Sequence, residues 1–368
     1  MTDATHTRMM TAVVTTGIGG VERLEHRRVP VPAVGPGDVL VRVAAAGVNN
    51  TDINTRIGWY SSSVRDGTGS AAPLADGGSG GYAGPSPFPL IQGADCCGTV
   101  VEAGSAGSEQ LLGQRVLVRS CMTGLTDGVV RWLGSDRDGA FAEYVAVPVS
   151  EVFPVTSGWS DAELATIPCS SGTAENMLER SGVGAGTRVL VTGASGGVGS
   201  AAVQLALRRG ARVIAVASPA KHDRLRALGV TEVIDRNVDL AEAMDGERVD
   251  VAVDNVAGPG FGDVLGRLVP GGTYVTSGAI AGPVVELDLR RLYLDDLRLI
   301  GTTTWDDGVF PQVVSAVEHD EIRPLLAATF PLDDIVAAQE AFQDPGRFGN
   351  IALVPRRLPS RGRTGDRR

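Results

Sequence analysis

The 368-residue chain is longer than one compact core usually holds, so we expect two domains. Hydrophobic residues make up 43% of the chain and charged residues 21%, a composition that excludes a largely disordered protein. The net charge of −10 argues against nucleic acid or an anionic membrane as the main partner. The first ten residues lack the apolar core of a signal peptide, and we expect a cytoplasmic protein.

Short extended segments predominate in the first 150 residues. Apolar runs bounded by Gly, Pro or Asp predict β-strands at residues 11–15, 38–46, 98–103, 114–120 and 142–147. In the same region, 16 of the 28 residues from Ser61 to Phe88 are Gly, Ser or Pro. We expect residues 61–88 to form a flexible insertion, either a tolerated surface loop or a lid that covers the substrate.

From about residue 155, predicted strands and helices alternate. Ser160, followed three residues later by Glu163, predicts a helix start with a capping box. Strands are then predicted at residues 188–192, 212–217, 232–235, 249–254, 273–277 and 298–303, with helices at 198–209 and 221–228. This alternation predicts an α/β fold with a doubly wound parallel sheet. Helices at 310–318 and 332–342 precede a strand at 350–354 that could return to the first domain, and residues 358–368 are predicted to be disordered.

A glycine-rich turn begins the second of these regions. The segment Arg188-Val-Leu-Val-Thr-Gly-Ala-Ser-Gly-Gly-Val-Gly-Ser places a β-branched strand directly before the turn and a helix after it, which is the context of a dinucleotide-binding site. Gly196 would let the backbone approach a pyrophosphate, and Gly199 would let the helix pack on the strand. The helix N-terminus supplies N–H groups for the phosphates. The predicted cofactor-binding residues of the turn are Gly193, Ala194, Ser195, Gly196, Gly197, Val198 and Gly199.

The end of the next strand distinguishes NAD(H) from NADP(H), because an NAD site has an acidic residue there for the ribose hydroxyls. Here the strand is followed by Ser218-Pro-Ala-Lys221, with no acid at the strand end. Lys221 is the only lysine beside 32 arginines, and a compact ammonium on a flexible stem suits a 2′-phosphate. A codon preference for arginine explains the same scarcity of lysine. We predict NADP(H) as the cofactor.

Six segments together carry a family resemblance. They are Ala46-Gly-Val-Asn-Asn-Thr-Asp-Ile-Asn, Gln92-Gly-Ala-Asp-Cys-Cys-Gly, Asp138-Gly-Ala-Phe-Ala-Glu-Tyr, Ile167-Pro-Cys-Ser-Ser-Gly-Thr-Ala, the glycine turn, and Pro270-Gly-Gly-Thr-Tyr-Val. Between about residues 10 and 355 the chain resembles the medium-chain dehydrogenase/reductase superfamily, on its zinc-independent, quinone-oxidoreductase-like side. The resemblance implies a GroES-like β-rich catalytic domain (1–154 and 306–357), interrupted by a Rossmann NADP(H)-binding domain (155–305). It further implies an active site between the domains, a small-molecule substrate and a homodimer.

The resemblance also implies that no metal is bound. Zinc-dependent members have a Cys where this chain has Asn49, and a His where it has Ala94. Cys169 lies near the third ligand position, but one thiolate cannot hold a catalytic zinc that needs three protein ligands. The cysteine-rich lobe of a structural zinc is also missing.

Without zinc, a substrate carbonyl has to be polarised by hydrogen bonds. The resemblance makes Asn49, Thr51 and Tyr60 the candidate catalytic residues. Asn49 would bond the substrate oxygen or the nicotinamide ribose, Thr51 matches a proton-relaying hydroxyl of zinc-containing relatives, and Tyr60 matches a pocket tyrosine of quinone reductases. Further cofactor contacts are carried over by position to Thr173, Ser218, Lys221, Arg236, Asn255, Val256, Gly278, Ala279 and Ile280.

The leading hypothesis is a zinc-independent, NADPH-dependent reductase of an enone, quinone or related carbonyl. Two enzymatic alternatives stay open within the superfamily: an alcohol dehydrogenase or ketone reductase, and an enoyl-thioester reductase. The long loop after Trp59 and the run Ile234-Asp-Arg-Asn are similar to crotonyl-CoA reductase relatives and favour the second. A non-catalytic NADPH-binding sensor is the alternative of a different class.

Overall fold

The computed structural model describes residues 7–74 and 84–356. The tail predicted to be disordered, 358–368, lies outside these residues, as do residues 75–83 of the predicted insertion. Within the two described ranges, no helix is long and apolar enough to cross a lipid bilayer.

The chain first forms a β-rich lobe. Its strands are β1 (Met9–Thr15), β2 (Leu24–Pro30), β3 (Asp38–Val48), β4 (Leu90–Ile91), β5 (Cys96–Ala103), β6 (Arg115–Val118), β7 (Cys121–Met122), β8 (Arg131–Trp132), β9 (Tyr144–Pro148) and β10 (Val152–Pro154). Helix α1 (Asn50–Ile57) follows β3 after a single residue. The long strand β3 pairs antiparallel with both β5 and β9, and the sheet continues from β5 through β6 to β10.

The middle of the chain forms the predicted parallel sheet. Helices α2 (Asp161–Leu164) and α3 (Pro168–Arg180) lead into strands β11 (Arg188–Val191), β12 (Arg212–Ala217), β13 (Glu232–Asp235), β14 (Val249–Val253), β15 (Leu268–Thr276) and β16 (Arg298–Gly301). Helices α4 (Gly197–Arg208), α5 (His222–Arg226), α6 (Leu240–Ala243), α7 (Phe261–Leu265) and α8 (Leu289–Leu294) connect them. The strand order β13-β12-β11-β14-β15-β16, parallel throughout, confirms the predicted α/β class.

The chain then returns to the first lobe. Helix α9 (Val309–Glu318), strand β17 (Leu326–Pro331), helix α10 (Ile335–Gln343) and strand β18 (Asn350–Val354) complete the described fold. Strand β18 has the predicted bounds and pairs antiparallel with β3, where Ile351 lies opposite Val48. Just before β18, the Gly349 N–H donates to the Ser195 carbonyl oxygen over 3.3 Å. The return of the chain therefore brings the first lobe into contact with the glycine turn.

Agreement with the sequence is best where the local signals are strong. Strands β12 and β13 coincide with their predicted bounds. The helix predicted from residue 221 begins at His222, because Lys221 closes a 3-10 turn over Pro219–Lys221. Helix α1 was not predicted, since its sequence is polar. It is buried by long-range contacts, among them the Arg56 guanidinium with the Gly19 carbonyl oxygen and the Gln339 side chain.

Candidate active site

The glycine turn connects β11 to α4 and has the close approaches that its glycines predict. Gly193 has a φ of +55°, a conformation that side chains disfavour. A Cβ on Gly199 would overlap the Gly193 carbonyl oxygen, so the helix can pack this tightly only with glycine there. A Cβ on Gly197 would overlap the Asn350 side-chain oxygen. The turn thus presents backbone groups at the N-terminus of a 12-residue helix, an arrangement that suits a phosphate group.

Two adjoining cavities meet at this turn. The outer cleft, of about 550 Å³, extends along the carboxyl ends of β12 and β13. The inner pocket, of about 190 Å³, reaches into the first lobe. Of the predicted residues in the turn, six line one or both cavities: Gly193, Ser195, Gly196, Gly197, Val198 and Gly199. Ala194 differs, because it is fully buried behind the turn, where its N–H donates to the Val216 carbonyl oxygen over 3.2 Å.

The outer cleft brings together Ser218, Lys221 and Arg236 as the sequence predicts. Lys221 is nearly buried and donates through Nζ to the Pro345 carbonyl oxygen over 2.7 Å. Burial lowers the pKa of the Lys221 ammonium, and the neighbouring cations Arg347 and Arg236 lower it further. Positive groups held this close to one another in a partly desolvated cleft repel each other, and an anion between them would relieve that repulsion.

Arg347 is a site residue that the sequence did not reveal. It lines both cavities and lies 4.2 Å over the ring of Phe342, whose carbonyl oxygen accepts from Nε over 2.9 Å. Burial lowers the pKa of Arg347 to about 10, while Asp344 opposes this shift. Its Nη1 atom is buried and has no hydrogen-bond partner among the described residues. A buried, unused guanidinium donor is expensive unless a ligand accepts from it.

Carboxylates also line the outer cleft, and those of Asp235 and Asp239 accept hydrogen bonds from neighbouring residues. Asp235 accepts from the N–H and the side-chain amide of Asn237, at 3.0 and 2.9 Å. Asp239 caps α6 by accepting from the Ala241 and Glu242 N–H groups. The residue that follows β12, Ser218, is not acidic, so the usual carboxylate for ribose hydroxyls is missing from the strand end.

The inner pocket gathers the remaining predicted residues. It is lined by Asn49, Thr51, Tyr60, Thr173, Asn255, Val256, Gly278, Ala279 and Ile280. Two loops of the Rossmann lobe are bonded to each other here: the Asn255 side chain accepts from the Ser277 N–H over 2.8 Å, and the Ile280 N–H donates to the Asn255 carbonyl oxygen over 3.0 Å. Asp254 supports the first loop by accepting from the Val256 N–H over 2.8 Å.

Aromatic rings make much of the opposite wall. Trp59 and Tyr60, whose ring centres lie 5.6 Å apart in an edge-to-face arrangement, come from the end of α1. Trp132 and Phe342 complete this wall, and Asn350 lies between it and the glycine turn. The Asn350 amide donates to the Thr166 carbonyl oxygen over 3.0 Å, so this residue links β18 to the start of α3. The first-lobe lining of the pocket therefore combines aromatic rings with polar side chains such as those of Asn49 and Thr51.

Asn49 sits between two buried carboxyl groups. Its backbone N–H donates to Asp52 over 2.8 Å, and its side-chain amide donates to Asp95 over 2.8 Å. Burial raises the pKa of Asp52 to about 7 and that of Asp95 to about 6; the negative charge of Asp95 adds to the shift of Asp52. The Asp52 carboxylate also accepts from the Gly93 and Ala94 N–H groups, at 3.2 and 3.3 Å.

The three family ligand positions lie together around this network. The first is Asn49, whose amide is bonded to Asp95, and the second is the buried Ala94, which offers no donor atom. The third is Cys169, and burial raises the pKa of its thiol well above the usual range, which disfavours a thiolate. In the described parts of the chain, no group of three His, Cys, Asp or Glu side chains is arranged to hold a metal ion.

Comparison with known proteins decides the family. Residues 35–157 match the family profile described as an alcohol dehydrogenase GroES-like domain, and residues 197–319 match the one described as a zinc-binding dehydrogenase. A solved structure from Sinorhizobium meliloti 1021, described as a candidate alcohol dehydrogenase, is 41% identical over 95% of this chain and 97% of its own, with a TM-score of 0.85. The chain belongs to the medium-chain dehydrogenase/reductase superfamily. It is therefore an oxidoreductase built on a GroES-like domain and a Rossmann-like sheet.

Two further superfamily members show the range of chemistry among its relatives. The cobalt- and zinc-bound thermostable alcohol dehydrogenase of Pyrobaculum aerophilum is 30% identical over 95% of this chain and all of its own, with a TM-score of 0.78. The acryloyl-coenzyme A reductase of Sulfurisphaera tokodaii is 26% identical over 94% of this chain and all of its own. Superfamily membership thus implies a nicotinamide cofactor without selecting one acceptor.

Proposed function

We propose that the protein is a zinc-independent, NADPH-dependent reductase of small enones, quinones or related activated carbonyl compounds. The observation that carries this proposal is the hydrogen bond between the Asn49 amide and Asp95, beside Ala94. Asn49 and Ala94 stand where zinc-dependent members have two metal ligands. An amide–carboxylate pair and a methyl group therefore occupy these two positions. A substrate carbonyl in this pocket would then be polarised by hydroxyl and amide groups.

The preference for the phosphorylated cofactor is supported by the charges of the outer cleft. Lys221, Arg236 and Arg347 face the end of β12, where an NAD site would have a carboxylate. The unused Nη1 donor of Arg347 and the glycine cradle fit a dinucleotide with an additional phosphate. Bound NADPH would supply a hydride to the acceptor.

The inner pocket supplies position and protons. Thr51 and Tyr60 are the hydroxyl groups of the candidate set, and either could donate to the oxygen on which negative charge develops. The apolar rings of Trp59, Trp132 and Phe342 would keep water from the reacting atoms. The volume of about 190 Å³ favours a compact acceptor over a bulky one.

An enoyl-thioester is the second candidate acceptor. The full-length similarity to an acryloyl-coenzyme A reductase supports it, and a short acyl group fits the small inner pocket. The two candidates predict different substrate profiles. A panel of quinones, simple enones and short enoyl-CoA esters, followed by NADPH oxidation at 340 nm, separates them.

The cofactor assignment has its own direct test. Titration with NADPH and NADH by intrinsic fluorescence should give tighter binding of NADPH. Tighter binding of NADH would overturn the cofactor assignment. Binding of NADPH without turnover of any acceptor on the panel would favour a dinucleotide sensor over a reductase.

We also propose a homodimer through the outer edge of the Rossmann sheet. Strand β16 ends the sheet among the described strands, and α8, the helix that precedes it in the chain, exposes Leu289, Tyr293 and Leu294 with 63%, 63% and 71% of their surfaces accessible. Large apolar side chains exposed close together are typical of an interface. An edge strand with unpaired N–H and C=O groups can pair with a second copy across a two-fold axis.

A further inference from the structure

The described part of the Gly/Ser/Pro-rich insertion follows a definite path. Residues 65–70, which we term the strap, follow α1 in the chain and cross from the first lobe to the Rossmann lobe. At the start of the strap, Trp59 Nε1 donates to the Asp66 carbonyl oxygen over 3.0 Å. Beyond its end, the Leu74 N–H donates to the Ile57 carbonyl oxygen over 3.1 Å. The strap is therefore anchored to the first lobe on both sides.

At its middle, the strap touches the Rossmann lobe by backbone. The Thr68 N–H donates to the Ile280 carbonyl oxygen over 3.0 Å. Gly67 is buried, and a Cβ there would overlap the same carbonyl oxygen and lie 3.0 Å from the Ala281 carbonyl carbon. This approach of two main chains therefore requires glycine at position 67.

Thr68 lies where the outer cleft meets the inner pocket. It lines both cavities and is only 5% exposed. Its N–H is used by the bond to Ile280, and its side chain lines the junction of the two cavities. Gly196 of the turn and Arg347 also line both cavities. A dinucleotide that extends from the outer cleft to the inner pocket therefore has to pass close to Thr68, Gly196 and Arg347.

We propose that the strap is part of the dinucleotide site: Thr68 contacts the ribose–phosphate portion of the bound cofactor, and the strap has to detach from Ile280 before the cofactor can leave. This proposal rests on the proposed function only through the binding of NADPH. The closing contact is one backbone hydrogen bond and the packing of a glycine, so opening breaks few interactions. The strap couples cofactor release to a separation of the two lobes at this point.

The first test changes the docking contact. In Gly67→Ala the new methyl group keeps the strap away from Ile280, and we expect NADPH to dissociate about tenfold faster, with binding weaker by about 1.4 kcal/mol. Stopped-flow fluorescence with NADPH measures the rate. Gly158→Ala is the matched control, because a Cβ at this exposed glycine meets no atom within 4 Å. A dissociation rate in Gly67→Ala equal to that of the control would overturn the proposal.

The second test uses variants that leave the strap docked. Thr68→Ala should weaken NADPH binding severalfold, and Thr68→Ser, which keeps the hydroxyl, should restore it. If Thr68→Ala and wild type bind NADPH equally, Thr68 does not contact the cofactor and that part of the proposal fails.

The third test needs no variant and covers the case in which Gly67→Ala does not fold. Trypsin can cut after Arg65, which is exposed within the strap. Saturating NADPH should slow this cleavage, whereas cleavage after the exposed Arg356 should proceed unchanged. Equal rates of cleavage after Arg65 with and without NADPH would contradict the proposed role of the strap. Failure of the protein to bind NADPH at all would instead contradict the proposed function, so the two failures are distinguishable.

Discussion

The outer cleft and the inner pocket use polar groups in opposite ways. In the outer cleft, Lys221 and Arg347 each donate to one backbone carbonyl, and the Nη1 donor of Arg347 has no partner among the described residues. In the inner pocket, Asn49 is already bonded to two carboxyl groups. Donors left unused in a desolvated cleft favour a charged ligand, whereas bonded groups hold a shape. The difference suggests that the outer cleft sets cofactor affinity and the inner pocket sets the chemistry.

The largest effect that separates the two regions should come from the inner hydroxyls. Whichever of Thr51 and Tyr60 delivers the proton, Thr51→Val or Tyr60→Phe should lower kcat by about 100-fold, because general acid catalysis contributes on that order. The NADPH Kd should stay near that of wild type. Steady-state kinetics with the best acceptor, beside a fluorescence titration, measures both. If neither variant loses activity, neither hydroxyl is the acid.

A substitution in the outer cleft should change the affinity for the cofactor. Lys221→Met should raise the NADPH Kd by about tenfold or more, since a hydrogen bond to a charged group contributes about 1.5–3 kcal/mol. The Kd for NADH, which has no 2′-phosphate, serves as the internal control and should change little. An equal loss for both cofactors would mean that Lys221 does not contact that phosphate.

Arg347 lies between the two regions, so its substitution tests where one region ends and the other begins. Because Arg347 lines both cavities, Arg347→Met should weaken the binding of NADPH and of NADH alike, by up to about tenfold. Arg347→Lys keeps the charge without the planar fork and should recover part of the loss. Selective loss of NADPH would instead assign Arg347 to the 2′-phosphate. The titrations used for Lys221 measure this.

The buried carboxyl groups of the inner pocket should appear in the pH dependence of stability. In the unfolded chain Asp95 titrates near 3.8, but burial raises its pKa to about 6 in the folded protein. Between these values the folded state binds more protons, so the contribution of Asp95 to the free energy of unfolding falls as pH rises, by about 1.4 kcal/mol per pKa unit. Asp95→Asn removes this titration, because an amide has no titrating proton in this range. The Cys169 N–H donates to Asp95 over 2.6 Å, and the amide oxygen of the variant can still accept from it while the side chain pairs with Asn49.

Urea unfolding of wild type and Asp95→Asn at several pH values from 4 to 8 measures this contribution as the difference between the two profiles. The variant should lose less stability than wild type between pH 4 and 6. Parallel profiles would mean that Asp95 titrates as it does in water.

The smallest effect on either cavity should come from the sheet edge. Leu294→Glu places a charge on the exposed apolar surface of α8 and should convert the proposed dimer to a monomer. The NADPH Kd should stay within about twofold of the wild-type value, which corresponds to a difference of less than about 0.5 kcal/mol. Light scattering coupled to gel filtration measures the mass. A wild-type protein that is already monomeric would contradict the interface.

Local spacing in the sequence was enough for the glycine turn, for strands β12 and β13, for the capping box at Ser160 and for the missing acid after β12. These features depend on contacts within a few residues, or on the burial pattern of a parallel strand. Both can be recognised from residues that are neighbours in the sequence. The family resemblance named nine of the residues that line the inner pocket, because its motifs match position by position. The glycine-turn motif also named Ala194, which the fold buries behind the turn.

Only the tertiary structure determined how these parts meet. The pairing of β18 with β3 brings Arg347 into the cleft next to Lys221, although no motif surrounds this arginine. The approach of the two lobes bonds the strap to Ile280, and the packing of β5 against β3 places Asp95 beside Asn49. Each of these contacts joins residues far apart in the chain. Their free energy depends on the docking of whole elements, which local sequence patterns do not encode.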